Sequence, residues 1–186
     1  MDRTAKGAGV LGQDKRSYFE QLMLPHLDAA YNLARWLTGN AQDAEDMVQE
    51  AYLRAFKSFG TFHGNGINDS RAWLLTIVRN TCYTWLHRNQ PENLAASFDE
   101  ELYTVADEAE NSETLLSLEA DLDMLRQAVG ELPLELREAI ILRELEGLSY
   151  KEMAQMARVP LGTIMSRLAR ARRRLQQSLE KRLIGE

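Results

Sequence analysis

Residues 151–175 read KEMAQMARVPLGTIMSRLARARRRL. At 100° per residue, Ile164, Leu168, Ala171, Leu175 and Leu179 fall on one stripe of a helix over 161–180, the stripe that faces a core. The opposite face carries Gly162, Ser166, Ala169, Arg170 and Arg173, flanked by Thr163, Arg167 and Arg174. Upstream, Ser149 and Glu152 form an S-x-x-E capping box for a short helix over 150–157, with Leu148 and Met153 placed as its hydrophobic staple. Short helix, tight turn and longer basic helix have the layout of a helix-turn-helix, whose second helix enters a DNA major groove.

On that geometry Thr163, Ser166, Arg167 and Arg170 are placed to reach base edges. Arg172, Arg173 and Arg174 lie further along and meet phosphates more naturally. Gly162 lets backbone approach backbone, and the helix N-terminus favours a phosphate. One arginine near the end of a terminal helix would merely suit its dipole. Five between Arg167 and Arg174, beside a capped helix and tight turn, read as a DNA-binding surface.

The rest of the chain is acidic. Residues 151–186 hold nine Lys/Arg against three Asp/Glu, whereas the 186-residue chain has a formal net charge of -6. No basic residue falls between Arg88 and Arg126, while eleven acids do. Such segregation implies separate surfaces for separate partners, at least one of them polyanionic. Only Cys82 carries a thiol, which excludes an intrachain disulfide and a cysteine-built zinc site and fits a reducing cytoplasm. No stretch approaches a membrane span or a signal peptide, so no membrane insertion is expected. The expectation is a soluble cytoplasmic protein with a flexible tail over residues 1–14.

Strand signals are scarce, and the chain reads as all-α. A first helix is expected from Lys15 to Thr38, closed by Gly39, and a second after Asn40 as N-cap. GTFHGNGINDS, residues 60–70, is a loop. A third helix, Ser70 to Arg88, places Leu74, Ile77, Val78, Thr81 and Trp85 on one stripe. The acidic segment 90–111 reads as a flexible linker. Four helices follow, over 112–129, 133–146, 150–157 and 161–180, Pro133 starting one and Gly147 ending it. Two small helical domains result, 15–89 and 112–183.

The second helix carries Asp43, Asp46, Gln49, Glu50, Arg54 and Lys57 on its polar side, ordinarily a solvated face. A metal or acid-base site is the sharper alternative, but His26, His63 and His87 are scattered and no Glu-x-x-His occurs. Neither an enzyme activity nor a cofactor is expected. The third helix offers Thr76, Arg79, Asn80, Tyr83 and His87 away from its apolar stripe. An aromatic among hydrogen-bonding and basic residues suits unpaired bases, and the adjoining loop adds Phe62, His63 and Asn65. Trp73, Trp85 and Cys82 read as packing.

LPLELREAIILRELEGLSYKEMAQMARVPLGTIMSRLARARRRL, residues 132–175, resembles the C-terminal DNA-binding domain, region 4, of bacterial sigma factors of the extracytoplasmic-function type. LARWLTGNAQDAEDMVQEAYLRAFKSF and SRAWLLTIVRNTCYTWLHR resemble their N-terminal domain, region 2. The resemblance spans about residues 18–180 and implies a protein that binds core RNA polymerase, directs it to promoters and helps open the DNA. It implies duplex reading of the minus-thirty-five element by the helix-turn-helix, and reading and melting of the minus-ten element by the front domain. In that family an extruded base sits in the loop that matches Phe62, His63 and Asn65. Asp46, Gln49, Glu50 and Arg54, with Asp43 beside them, become the residues that dock on a coiled coil of the largest polymerase subunit; the polymerase flap is the second contact. An anti-sigma factor is the further partner implied. Arg158 stands where members often have glycine; a positive φ there would cost about 1 kcal/mol, and Arg158 could also add a phosphate contact. The alternatives are a sigma-like decoy that titrates a regulator, or a self-sufficient helix-turn-helix regulator that dimerises on a palindrome.

Overall fold

The computed structural model describes residues 15–64, 66–89 and 112–184, and every regular element among them is helical. The expected tail 1–14, Asn65 and the linker 90–111 lie outside the described residues.

Helix α1 covers residues 15–23, and the single helix expected from 15 to 38 is interrupted there. Leu24–His26 forms a 3-10 turn, after which α2 runs Leu27–Thr38. Pro25 accounts for the break: it has no N–H to donate, and its ring crowds the carbonyl four residues earlier. Gly39, at φ 87°, closes α2 in the left-handed region. The Asn40 side chain then accepts the Asp43 N–H at 2.8 Å and starts α3, Ala41–Ser58.

A 3-10 turn, Phe59–Thr61, leads into the loop, and α4 spans Ile67–Asn89. Leu33, Leu37, Val48, Ala51, Leu74 and Val78 form the centre of this half. The stripe expected on α4 is wider than drawn. Ile77 and Trp85 are only half-buried, while Leu75, Cys82 and Leu86 are interior, because α4 meets α2 and α3 on one side and the short helix Tyr150–Ala157 of the later half on another.

In the later half, α5 covers Ser112–Gly130 and α6 covers Leu134–Ile140, with Pro133 as N-cap. The expected helix 133–146 is not uniform. Its last turn, Ile141–Leu145, widens to π geometry, Glu146 N–H reaching the Ile141 carbonyl at 3.0 Å. Gly147 follows at φ 64°. The capping box of Ser149 and Glu152 is present and starts α7, Tyr150–Ala157, and α8 extends beyond the expected end, over Leu161–Ile184.

The halves meet through α2 and α6, and their buried residues form one continuous apolar core. Arg137 of α6 anchors the junction from inside. Its guanidinium donates to the carbonyls of Trp36 at 3.1 Å, Gly130 at 2.6 Å and Leu132 at 3.1 Å. Burial pushes its pKa down to about 10, which leaves it charged at neutral pH.

Candidate nucleic-acid interface and acidic face

The turn between α7 and α8 is built by Arg158, Val159 and Pro160. Arg158 adopts φ 54° and ψ 45°, the left-handed conformation in which its N–H returns to the carbonyls of Ala154 and Gln155. Val159 N–H bonds the Ala154 carbonyl at 3.1 Å, completing a C-terminal cap normally served by glycine. The arginine side chain is exposed, on the rim of α8.

Along α8, Ile164, Leu168 and Ala171 are buried, and Gly162, Ser166, Ala169, Arg170 and Arg173 face solvent. A Cβ on Gly162 would meet nothing within 4 Å, so folding does not demand glycine there. Thr163 is half-buried, and Ser166 Oγ donates to its carbonyl at 3.0 Å while remaining on the outer face. Arg172 and Arg174 are also exposed, Arg172 paired with Glu144 at 2.7 Å.

Arg167 departs from its expected place. It is buried, one turn from both Ile164 and Ala171, and pairs with Glu135 at 2.9 Å. Its position borders the apolar stripe, so the side chain turns toward α6 rather than outward. Met165, exposed beside Gly162, stands at the edge of the outer face, a place that polarity-based reading passed over.

The α4 surface is divided. Asn80 and His87 are exposed, and Thr76 donates to the Ala72 carbonyl at 2.7 Å. Arg79 and Tyr83 are turned toward α6, where both donate to the Glu138 carboxylate. The Arg79 guanidinium also lies 4.2 Å from the centre of the Tyr83 ring. Burial, then the Glu138 charge, pushes the Tyr83 hydroxyl up, so it remains a donor. Burial lowers the Arg79 pKa, but the hydrogen bond and charge of Glu138 more than offset that, and it is raised overall.

In the loop, His63 is exposed and Phe62 is half-buried. Its ring stacks on Phe59 at 6.0 Å and leans on Trp73 at 5.2 Å, an aromatic cluster at the edge of the core. Gly64 is required beside it, since a Cβ there would come within 2.4 Å of the Phe62 ring.

On α3, Asp46, Gln49 and Arg54 are exposed and Glu50 is half-buried, Glu50 receiving Arg54 Nε at 2.7 Å. Asp43 supports the start of the helix, where it accepts from the Asn40 side-chain amide at the N-cap. Leu53, 56% exposed, stands on this polar face between Gln49 and Lys57. Sequence reading missed it, although a leucine one position off the buried stripe was the available signal. No group able to hold a metal ion and no helix long and apolar enough to cross a membrane occurs among the described residues.

Comparison with known proteins finds two matched stretches. Residues 22–92 match the family model for sigma-70 region 2, and residues 122–175 match that for sigma-70 region 4. The RNA polymerase sigma-H factor of Pseudomonas aeruginosa is 31% identical over 173 residues, covering 90% of this chain and 88% of that protein. The ECF RNA polymerase sigma factor SigM of Mycobacterium tuberculosis is 34% identical over 164 residues, 88% of this chain and 78% of its own. Among solved structures, the sigma factor RpoE of Bartonella quintana, in complex with the anti-sigma factor NepR, aligns with a TM-score of 0.70 at 30% identity, over 87% of this chain and 96% of that one.

Proposed function

The chain belongs to the extracytoplasmic-function branch of the sigma-70 family, and we propose that it recruits core RNA polymerase to promoters through three surfaces. Its role is promoter-directed transcription initiation, not an enzymatic reaction. The observation that carries the detailed reading is the outward face of α8, with Ser166, Arg170 and Arg173 exposed on a helix fixed by a capped turn.

In this reading Thr163, Ser166 and Arg170 contact bases of the minus-thirty-five duplex. Arg158, Arg172, Arg173 and Arg174 contact phosphates and supply salt-dependent affinity. Arg167 acts indirectly, by holding α8 against α6 through Glu135. The minus-ten strand is assigned to Thr76, Arg79, Asn80, Tyr83 and His87, together with Phe62, His63 and Asn65 of the loop sequence. Asp46, Gln49, Glu50 and Arg54 form the polymerase-docking face, joined by Leu53 and shaped by the Asp43 cap. The binding of polymerase supplies effective concentration, since one scaffold holds both DNA-reading surfaces near their elements.

An anti-sigma factor is the further partner we assign, supported by the complex in which the Bartonella relative occurs. A largely apolar cleft between the halves, lined by Trp36, Leu122, Leu125, Val129, Leu145 and Leu175, suits an amphipathic helix of such a partner.

The reading is tested by gel filtration and footprinting. Core polymerase and this chain should elute together, and a duplex should be protected only by the assembly. Protection of a palindrome by the chain alone would replace this reading with that of a self-sufficient regulator; co-elution without any protection would favour a decoy.

A further inference from the structure

Leu161 and Met165 open the first two turns of α8 with their side chains in solvent, 49% and 53% exposed. Both residues suit a helix, but Lys or Gln suits it as well without leaving apolar surface in water. Being four residues apart, they lie one above the other on one edge of the outward face. A single exposed apolar side chain is ordinary, whereas an adjacent pair at the start of a helix otherwise rich in exposed arginine is not.

Gly162 completes the feature. In helical register Met165 and Ser166, three and four residues on, rise on either side of it, and a Cβ on Gly162 would meet nothing within 4 Å. The fold does not demand glycine there, and its missing side chain leaves a shallow notch beside Met165.

The chemistry around the notch selects its occupant. Arg170 and Arg173, exposed further along the same helix, complement phosphates, so duplex DNA is the surface that reaches it. On the major-groove edge the bases present hydrogen-bonding atoms and one kind of apolar group, the C5-methyl of thymine. A thioether set against an amine or a carbonyl would leave that polar atom without a partner, which disfavours the other bases. The unbranched, polarizable methionine chain packs well against a methyl.

We propose that Met165, with Leu161 behind it, reads the C5-methyl of a thymine in the minus-thirty-five duplex and so fixes one position of the promoter as a T·A pair. Resting on the assignment of α8 to that duplex, this apolar contact adds a base position to those read by Thr163, Ser166 and Arg170.

The test takes a promoter recovered by its chain-dependent transcript start and resynthesises it with deoxyuridine for each thymine of the upstream element in turn, a change that removes one methyl and keeps every base-pairing atom. Binding by the assembly of core polymerase and full chain is measured by competition. At one thymine the native chain should lose about fourfold in affinity, as expected for one methyl withdrawn from an apolar contact. Met165→Gln, of similar length and helix preference, should bind the thymine and deoxyuridine duplexes equally, and Met165→Leu should keep the preference. Thermal melts of the free chain should not separate the three, because the side chain is exposed.

Equal binding of the native chain to every deoxyuridine duplex overturns the proposal. A preference that Met165→Gln retains also overturns it, because the methyl then lies against another residue. In both cases promoter-directed initiation stands, since the transcript start has been obtained. Absence of any chain-dependent start removes that reading and the methyl contact with it.

Discussion

Arg79 on α4 and Glu138 on α6 form a buried ion pair although 59 residues separate them. Neither charge can be left alone cheaply at such a site, so each depends on the other across the seam between the two halves. Tyr83 and Arg79 therefore report on whether the halves are together.

The first prediction concerns that dependence. In a double-mutant cycle on Arg79→Ala and Glu138→Gln, urea unfolding should give a coupling of about 1–3 kcal/mol. Additivity within error would mean that the pair contributes nothing to closure.

Arginines on α8 should separate by salt dependence. In the polymerase complex, Arg173→Ala should lower the slope of log affinity against log salt by about 1 and weaken all promoters alike. Arg170→Ala should instead relax preference at one base position, with a loss of about 1–3 kcal/mol. Equal behaviour of the two variants would contradict the division between base and phosphate contacts.

The turn before α8 carries a cost that glycine would remove. Arg158→Gly should raise the stability of the free chain by up to about 1 kcal/mol, and weaken duplex binding through the lost phosphate contact. Ser149→Ala, which dismantles the capping box of α7, should lower stability by about 1 kcal/mol. Thermal melts measured beside promoter affinity read both effects.

Leu53 gives a test of the docking face that does not disturb the fold. Because it is exposed, Leu53→Glu should change unfolding free energy by less than about 0.5 kcal/mol. Its retention on immobilised core polymerase should nevertheless fall sharply. Unchanged retention would remove Leu53 from that face.

Cys82 supplies a pH prediction. Burial pushes its thiol from 9.0 up to about 12, so the fold favours the protonated form. Stability from this preference is complete below pH 9 and is lost as pH rises from 9 toward 12. At a pH of about 8 the native chain should resist a disulfide-exchange reagent and react once unfolded in urea; rapid native-state reaction would contradict burial.

Periodicity and caps made much of this architecture legible. Ile164, Leu168 and Ala171 are buried where the helical stripe puts them, Gly39 and Gly147 end helices, and Ser149 with Glu152 begins one. The miss at Pro25 came from following the apolar rhythm through a residue that cannot donate. Arg167 and Phe62 were harder: both are of a type that binds nucleic acid, and only tertiary packing shows that Glu135 and Phe59 already engage them. The pairing of Arg79 with Glu138 has no local signature, because each residue sits on its own helix at an ordinary position.

The most direct test of the central claim is transcription in vitro by purified bacterial core polymerase on a promoter library, with transcript starts sequenced with and without this chain. Starts should appear only with the chain and share two spaced upstream elements. Those starts should be lost when Arg170, Arg173 and Arg174 are all changed to Ala. No dependent starts from an active core enzyme, or starts untouched by that triple change, would contradict promoter direction through α8.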